Sequence, residues 1–332
     1  MKTTSFLFLF GFTCFFLQAQ NVASTAYLTS GGYQAGSASA TPTYNTFYGA
    51  TAGKLTTGIS NTLIGNFYSS STQGLSTGAS NTLVGHNAGG LITTGSRNTS
   101  FGHNAGGYLN NSDNTCIGYQ TMGYNTSFTK SVALGNEAGC YTVGTDNLYL
   151  GYRAGYFTKG SNNILIGAGA GTSQTISNKL FIDNSATTTP LIWGDFAMDQ
   201  LKLNGKVGIG FENLTVFPTT AGAVDVSNYK LFVAGGILAD EMRIKLRGPL
   251  NSLWADYVFL KEYKLKTIFE VEKYIKQNGH LENVPSAEDV KKNGLNLSEI
   301  ARIQQEKIEE LTLYMIEQAK KIKILEDILI NK

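Results

Sequence analysis

A pair of histidines, a pair of cysteines and one glycine-rich run are where this chain could do chemistry. His86 and His103 each open the phrase His-Asn-Ala-Gly-Gly. Two imidazoles at one phase of a repeat are a candidate metal ladder, which symmetry-related copies would multiply. The plainer reading is preferred: both histidines belong to two copies of one diverging phrase. Gly167-Ala-Gly-Ala-Gly171 suggests a phosphate-cradling loop, yet its ends fall where the repeat described below places glycine. Cys116 and Cys140 could pair after export to an oxidising compartment. They sit at different phases of the repeat, so free structural thiols are expected. His280 lies in a turn without an evident partner. The chain contains no CxxC, HExxH, Walker glycine loop, GxSxG or Asp/Gly-rich calcium nonapeptide. The expectation is a non-enzyme with no catalytic residue, no cofactor and no metal site.

What positions these residues is a short phrase written eight times between Tyr44 and Thr172: NTFYG, NTLIG, NTLVG, NTSFG, NTCIG, SVALG, NLYLG and NILIG. The closing glycines are Gly49, Gly65, Gly85, Gly102, Gly118, Gly135, Gly151 and Gly167. Four residues earlier stand Asn45, Asn61, Asn81, Asn98, Asn114, Asn147 and Asn163, with Ser131 in the sixth copy. A fixed period of this kind is the signature of a solenoid. Side chains alternate along a strand, so the large apolar residue just before the glycine and the Thr, Val, Leu or Ile two places earlier share a face. That face is expected to be buried. The glycine supplies positive φ for a corner, and a second glycine four residues on (Gly53, Gly89, Gly106, Gly139, Gly155, Gly171) marks another. Stacking would superimpose the asparagines into a ladder of amides. The expected fold is mostly β, a parallel β-roll of 16–17-residue coils. So thin a roll favours packing against copies of itself.

These repeats resemble the head repeats of trimeric autotransporter adhesins over about 130 residues. The resemblance implies a left-handed parallel roll and a homotrimer. The coils here are slightly longer, and Asn-Thr stands where a Ser-Ala phrase is common.

Residues 1–20 carry Lys2, the apolar run FLFLFGFTCFFL and then Gln-Ala-Gln, which reads as a secretory signal peptide cut near Ala19 or Gln20. The run is short for a membrane anchor, and Cys14 lacks the small preceding residues of a lipoprotein site. Residues 21–43 form a flexible lead-in and 44–190 the roll. Between Val22 and Pro190 there are six basic and four acidic residues; from Leu191 onward there are nineteen and twenty. That shift marks a boundary near Pro190, followed by a β connector (191–237), a helical or β neck (238–296) and a coiled coil (297–332). Lys264–Gln277 has helical spacing and ends at Asn278-Gly279. Ser286 and Asp289 open a short helix. From Leu297 heptads place Ala301, Ile308, Met315, Ile322 and Leu329 at a, and Leu297, Gln304, Leu311, Gln318 and Leu325 at d. The two glutamines are polar layers that fix register.

The run from Trp254 to Ile322 (WADYVFLKEYKLKTIFEVEKYI and onward) resembles the C-terminal segment common on secreted Bacteroidetes repeat proteins. More distantly it is similar to the intramolecular chaperone domain of phage tail fibres and endosialidases. That resemblance implies assembly of trimers. Its self-cleavage needs a Ser-Asp pair, and Trp254-Ala255-Asp256-Tyr257 has no serine. A formal net charge of +2 with no basic patch gives nucleic acid no foothold. Tyr48, Tyr68, Tyr108, Tyr119, Tyr124, Tyr141, Tyr152 and Tyr156 recur near corners, where they could meet a host or environmental glycan or protein, or pack coils and chains. Two functions remain: a trimeric extracellular fibre for adhesion or structure, or a β-solenoid glycan-acting or self-processing enzyme. Ten charges over the roll weigh against the enzyme. No sequence feature indicates how a membrane would hold the chain.

Overall fold

In the computed structural model the described residues are 23–25, 28–37, 44–67, 77–90, 92–107, 110–124, 127–212, 216–244 and 254–330. The signal-peptide expectation with Cys14, part of the lead-in, and Tyr68 and Tyr108 lie outside them. The chain divides into two compact units, the first ending at Gly205 and the second beginning at Lys206.

The first unit is a β-solenoid of about eight turns built on one thirteen-stranded sheet. The repeat phrase forms its strands, paired parallel so that Thr46, Thr62, Thr82, Thr99, Thr115, Val132, Leu148, Ile164 and Leu180 stand in one row. The return side is sparser. Phe128–Thr129 pairs with Gly144–Thr145, and single bridges join Val143, Lys159 and Thr175. Antiparallel strands close the sheet at both ends, Ala23–Thr25 at one and Ile192–Asp195 with Gln200–Leu203 at the other. The sheet therefore runs past the change in charge at Pro190, because backbone pairing does not depend on it.

The face expected to be buried is the exposed one. Inside the coil lie the asparagine and the residue two before the corner glycine: Phe47, Leu63, Leu83, Ser100, Cys116, Ala133, Tyr149 and Leu165. Outside lie the residues directly before the glycine, with Tyr48, Ile64, Phe101, Ile117, Leu134 and Leu150 each 37–56 % exposed. The reason is the asparagine. Its amide has to reach backbone groups inside the narrow coil, and alternation then takes the second residue after it inward too.

In the second unit, Val207–Ile209 pairs parallel with Leu231–Val233, and Thr220–Ala221 pairs with Val224–Asp225. A 3₁₀ turn, Ala255–Phe259, precedes α1 (Ile268–Asn278), α2 (Ala287–Asn293) and α3 (Leu297–Ile330). α1 starts four residues later than its apolar spacing suggests, because Thr267 and Glu270 form a capping box. It ends at Gly279 in the left-handed region. Ser286 and Asp289 cap α2 in the same way. Between 238 and 296 the described residues contain helix and no strand.

Candidate functional site

The asparagine row is a continuous buried chain of hydrogen bonds. Each side-chain oxygen accepts the backbone N–H of the next asparagine: Asn61 to Asn45 at 2.8 Å, Asn81 to Asn61 at 2.9 Å, Asn98 to Asn81 at 2.9 Å and Asn114 to Asn98 at 3.0 Å. Ser131 then donates to Asn114 Oδ1 at 3.0 Å, and its own Oγ accepts from Asn147 at 3.2 Å. Asn163 and Lys179 continue the row at 3.0 Å each. The Nδ2 groups donate across the coil, for example Asn45 to Gly58 O and Asn163 to Ile176 O. Direct amide-to-amide bonds occur at four steps. Buried polar backbone is thereby satisfied in a coil too thin for regular pairing on both sides.

The glycine row is enforced by contact as well as by φ. At Gly102, φ is 137°, and a Cβ would lie 2.4 Å from Gly118 O in the next coil. The second glycine makes room for the inward side chain: a Cβ at Gly155 would meet the Tyr149 ring at 2.2 Å. Where Met122 takes that place, the inward residue shrinks to Cys116, with Sγ and Sδ 3.5 Å apart. Ala52, Ala88, Ala105, Ala138, Ala154 and Ala170 complete the interior. This alanine row was missed in the sequence, although Ala-Gly recurs in most copies.

Two apolar faces are left uncovered. One is the row before the corner glycines on the roll. The other is on α3. Its heptad residues Leu297, Ile308, Leu311, Met315, Ile322, Leu325 and Leu329 are exposed, Met315 and Leu329 by more than 70 %, and Ala301 is half-buried. The opposite face packs on its own unit through Ile303, Glu306 and Glu309. There Tyr257 donates to Glu306 and Tyr263 to Glu310. Lys307 Nζ bridges the two carboxylates at 2.9 and 3.0 Å, and Arg302 reaches Tyr257 at 2.9 Å. Burial opposes ionisation of Glu306, but hydrogen bonds from Tyr257 and Lys307 outweigh it and hold the carboxyl below its usual range. Burial, with Glu306 beside it, pushes the Tyr257 phenol up to about 12. The network fixes the rotation of α3, and with it the direction of the heptad face. Heptad spacing alone contains no signal for it.

The residues singled out for chemistry do not converge. His86 and His103 stack face to face, ring centres 4.9 Å apart, and His103 stacks on Tyr119 at 5.3 Å. Among the described residues no three His, Cys, Asp or Glu gather as metal ligands. Cys116 and Cys140 are buried free thiols, and burial pushes them up to about 12 and about 11. In Gly167–Gly171, a Cβ on Gly167 would lie 1.9 Å from Asp183 O, so the glycines serve stacking. His280 Nδ1 lies 2.9 Å from Leu281 O. It borders a cavity of about 550 Å³ in the second unit, lined also by Tyr229, Asp289, Asn296 and Ile300. The polar groups there are occupied, Asp289 with Ser286 and Asn296 with the first turn of α3. Comparison with family models, curated proteins and solved structures returns no match.

Proposed function

We propose that the chain is a non-enzymatic, exported fibre protein, assembling as a parallel homotrimer and serving in adhesion or as a structural surface component. A left-handed roll of 16–17-residue coils and a C-terminal coiled coil are its two assembly elements. The observation that carries the reading is the inside-out character of α3. Its buried face holds two carboxylates, while its leucine, isoleucine and methionine row is bare. Such a row is the seam of a coiled coil awaiting its partners.

The exposed row on the roll supports the same reading independently. It runs along the parallel part of the sheet and carries no charged residue at the position before each corner glycine. Contiguous apolar surface of this kind marks an interaction site. Export rests on the signal-like residues 1–20. No described helix is long and apolar enough to cross a membrane.

Light scattering on the chain lacking residues 1–20 tests the assembly. Three times the chain mass is expected, and a monomer at micromolar concentration overturns it.

A further inference from the structure

The residues one past five successive corner glycines, Gly85 to Gly151, form a second outward row: His86, His103, Tyr119, Asn136, Tyr152. Backbone bonds tie successive rungs, Gln120 N to His103 O at 2.9 Å, Glu137 N to Tyr119 O at 2.8 Å and Arg153 N to Asn136 O at 3.0 Å. The first three rings stack. At Asn136 the stack is interrupted, and Tyr152 stands on the rung beyond. Strands of a sheet lie ~4.8 Å apart, so Tyr119 and Tyr152 stand on rungs roughly 10 Å apart and leave a slot over the shorter Asn136 side chain on the rung between them. Tyr119 is 46 % exposed and Tyr152 52 %. Asn136 is exposed. Arg153 lies over the Tyr152 ring, centroid distance 5.3 Å, and over the Tyr156 ring at 4.9 Å, and is paired with Glu137 beside Asn136.

We infer that this slot binds one sugar residue of an uncharged glycan. Three features specify the occupant. A flat aromatic group would only continue the stack, which the chain does elsewhere with its own rings. A pyranose is thicker, and its C–H faces, weakly positive, lie against the negative faces of aromatic rings. The Asn136 amide offers two donors and an acceptor, which suits hydroxyl groups. Finally, Glu137 and Arg153 neutralise each other, and the roll around them is poor in charge, so nothing there recruits an ionic ligand. By contrast the row Tyr124, Tyr141 and Phe157 stacks at 5.0 and 4.7 Å without a gap and offers no slot.

The slot lies past the corner glycines, off the sheet row assigned above to assembly. The inference deepens the adhesion reading and rests on it only for the class of partner. Titration calorimetry with cellohexaose, chitohexaose, laminarihexaose and mannohexaose tests it, with light scattering on the same samples reporting assembly separately. At least one hexasaccharide should bind. Tyr119→Ala and Tyr152→Ala should each weaken it about tenfold, the loss expected for removing one stacking surface. Asn136→Tyr should complete the stack, keep the thermal midpoint and abolish binding, while His86→Ala should bind as the parent does. Failure of all four sugars to bind the parent, or undiminished binding by Asn136→Tyr, overturns the inference.

Discussion

Replacing Asn114 by leucine isolates the buried asparagine row. Asn114 Oδ1 accepts the Ser131 N–H at 3.0 Å. Its Nδ2 donates to Asn98 Oδ1 and Ser112 O at 3.1 Å, and more weakly to Phe128 O at 3.4 Å. Leucine makes none of these bonds. Asn98 Oδ1 keeps the Asn114 N–H, so its loss is small. The Ser131 amide is stranded without water, at ~1–3 kcal/mol, and the carbonyls add ~1 kcal/mol, for a total of ~2–4 kcal/mol. Asn184→Ala removes a comparable bond, to Ala168 N at 3.2 Å, from an exposed site. Water replaces it, and the change should stay within ~0.5 kcal/mol.

The sixth coil supplies an internal rescue, because Ser131 already holds the row with a hydroxyl. Asn114→Ser should therefore recover roughly half of the loss. Guanidinium unfolding followed by far-UV circular dichroism measures these differences. Stacked repeats can open locally, so exchange of the Ser131 amide should be read beside it. Equal stabilities for Asn114→Leu and Asn184→Ala, with Ser131 still protected, would refute the account.

Gly102→Ala should cost ~2–4 kcal/mol in the same assay through its φ and its contact with Gly118 O. Gly236→Ala, with open space around it, should be neutral. Burial raises the Cys116 thiol from about 9 to about 12, so the fold favours the protonated form. This contribution is intact below about pH 9 and fades as pH climbs towards 12. The difference between stability profiles of the parent and Cys116→Ala over that range, which cancels the other groups titrating there, checks it. Asp at both Ile308 and Leu311 should split the assembly, seen as a fall in mass by light scattering. Isoleucine at Gln304 and Gln318 should strengthen it while loosening its chain number. Truncation after Gly294 should leave a misassembled or aggregating roll, and a soluble trimer of normal thermal stability would remove α3 from assembly.

The solenoid was legible because eight copies of one phrase repeat the same demand: glycine where φ is positive, asparagine where backbone needs a buried partner. Which strand face turns inward was not. The large residue before the glycine looks like core, whereas the inward position ranges from Ala133 to Tyr149 and looks like noise. Only the reach of the asparagine settles it, since its parity is the parity of the interior. The caps of α1 and α2 could be read from Asn278-Gly279 and from Ser286 with Asp289. The pairs Tyr257 with Glu306 and Tyr263 with Glu310 could not, because they meet across nearly fifty residues of sequence.

Energetics ties the two apolar rows together. α3 hides Glu306 and Glu309 and shows seven large heptad residues, the reverse of an ordinary surface helix. Burying a carboxylate is costly unless it is hydrogen-bonded, as Glu306 is by Tyr257 and Lys307, and Glu309 through one oxygen by Gln305. Covering the heptad row at ~1–2 kcal/mol per residue would return of order 10 kcal/mol per chain. Ordering free chains into one assembly costs ~4–15 kcal/mol. On these figures the helix alone is close to break-even, and in the proposed assembly its value would lie in setting register, since helical contacts form locally and fast. In that assembly the row beginning at Tyr48 and Ile64 would supply the surplus. On the proposed assembly, both rows would be covered in the same state.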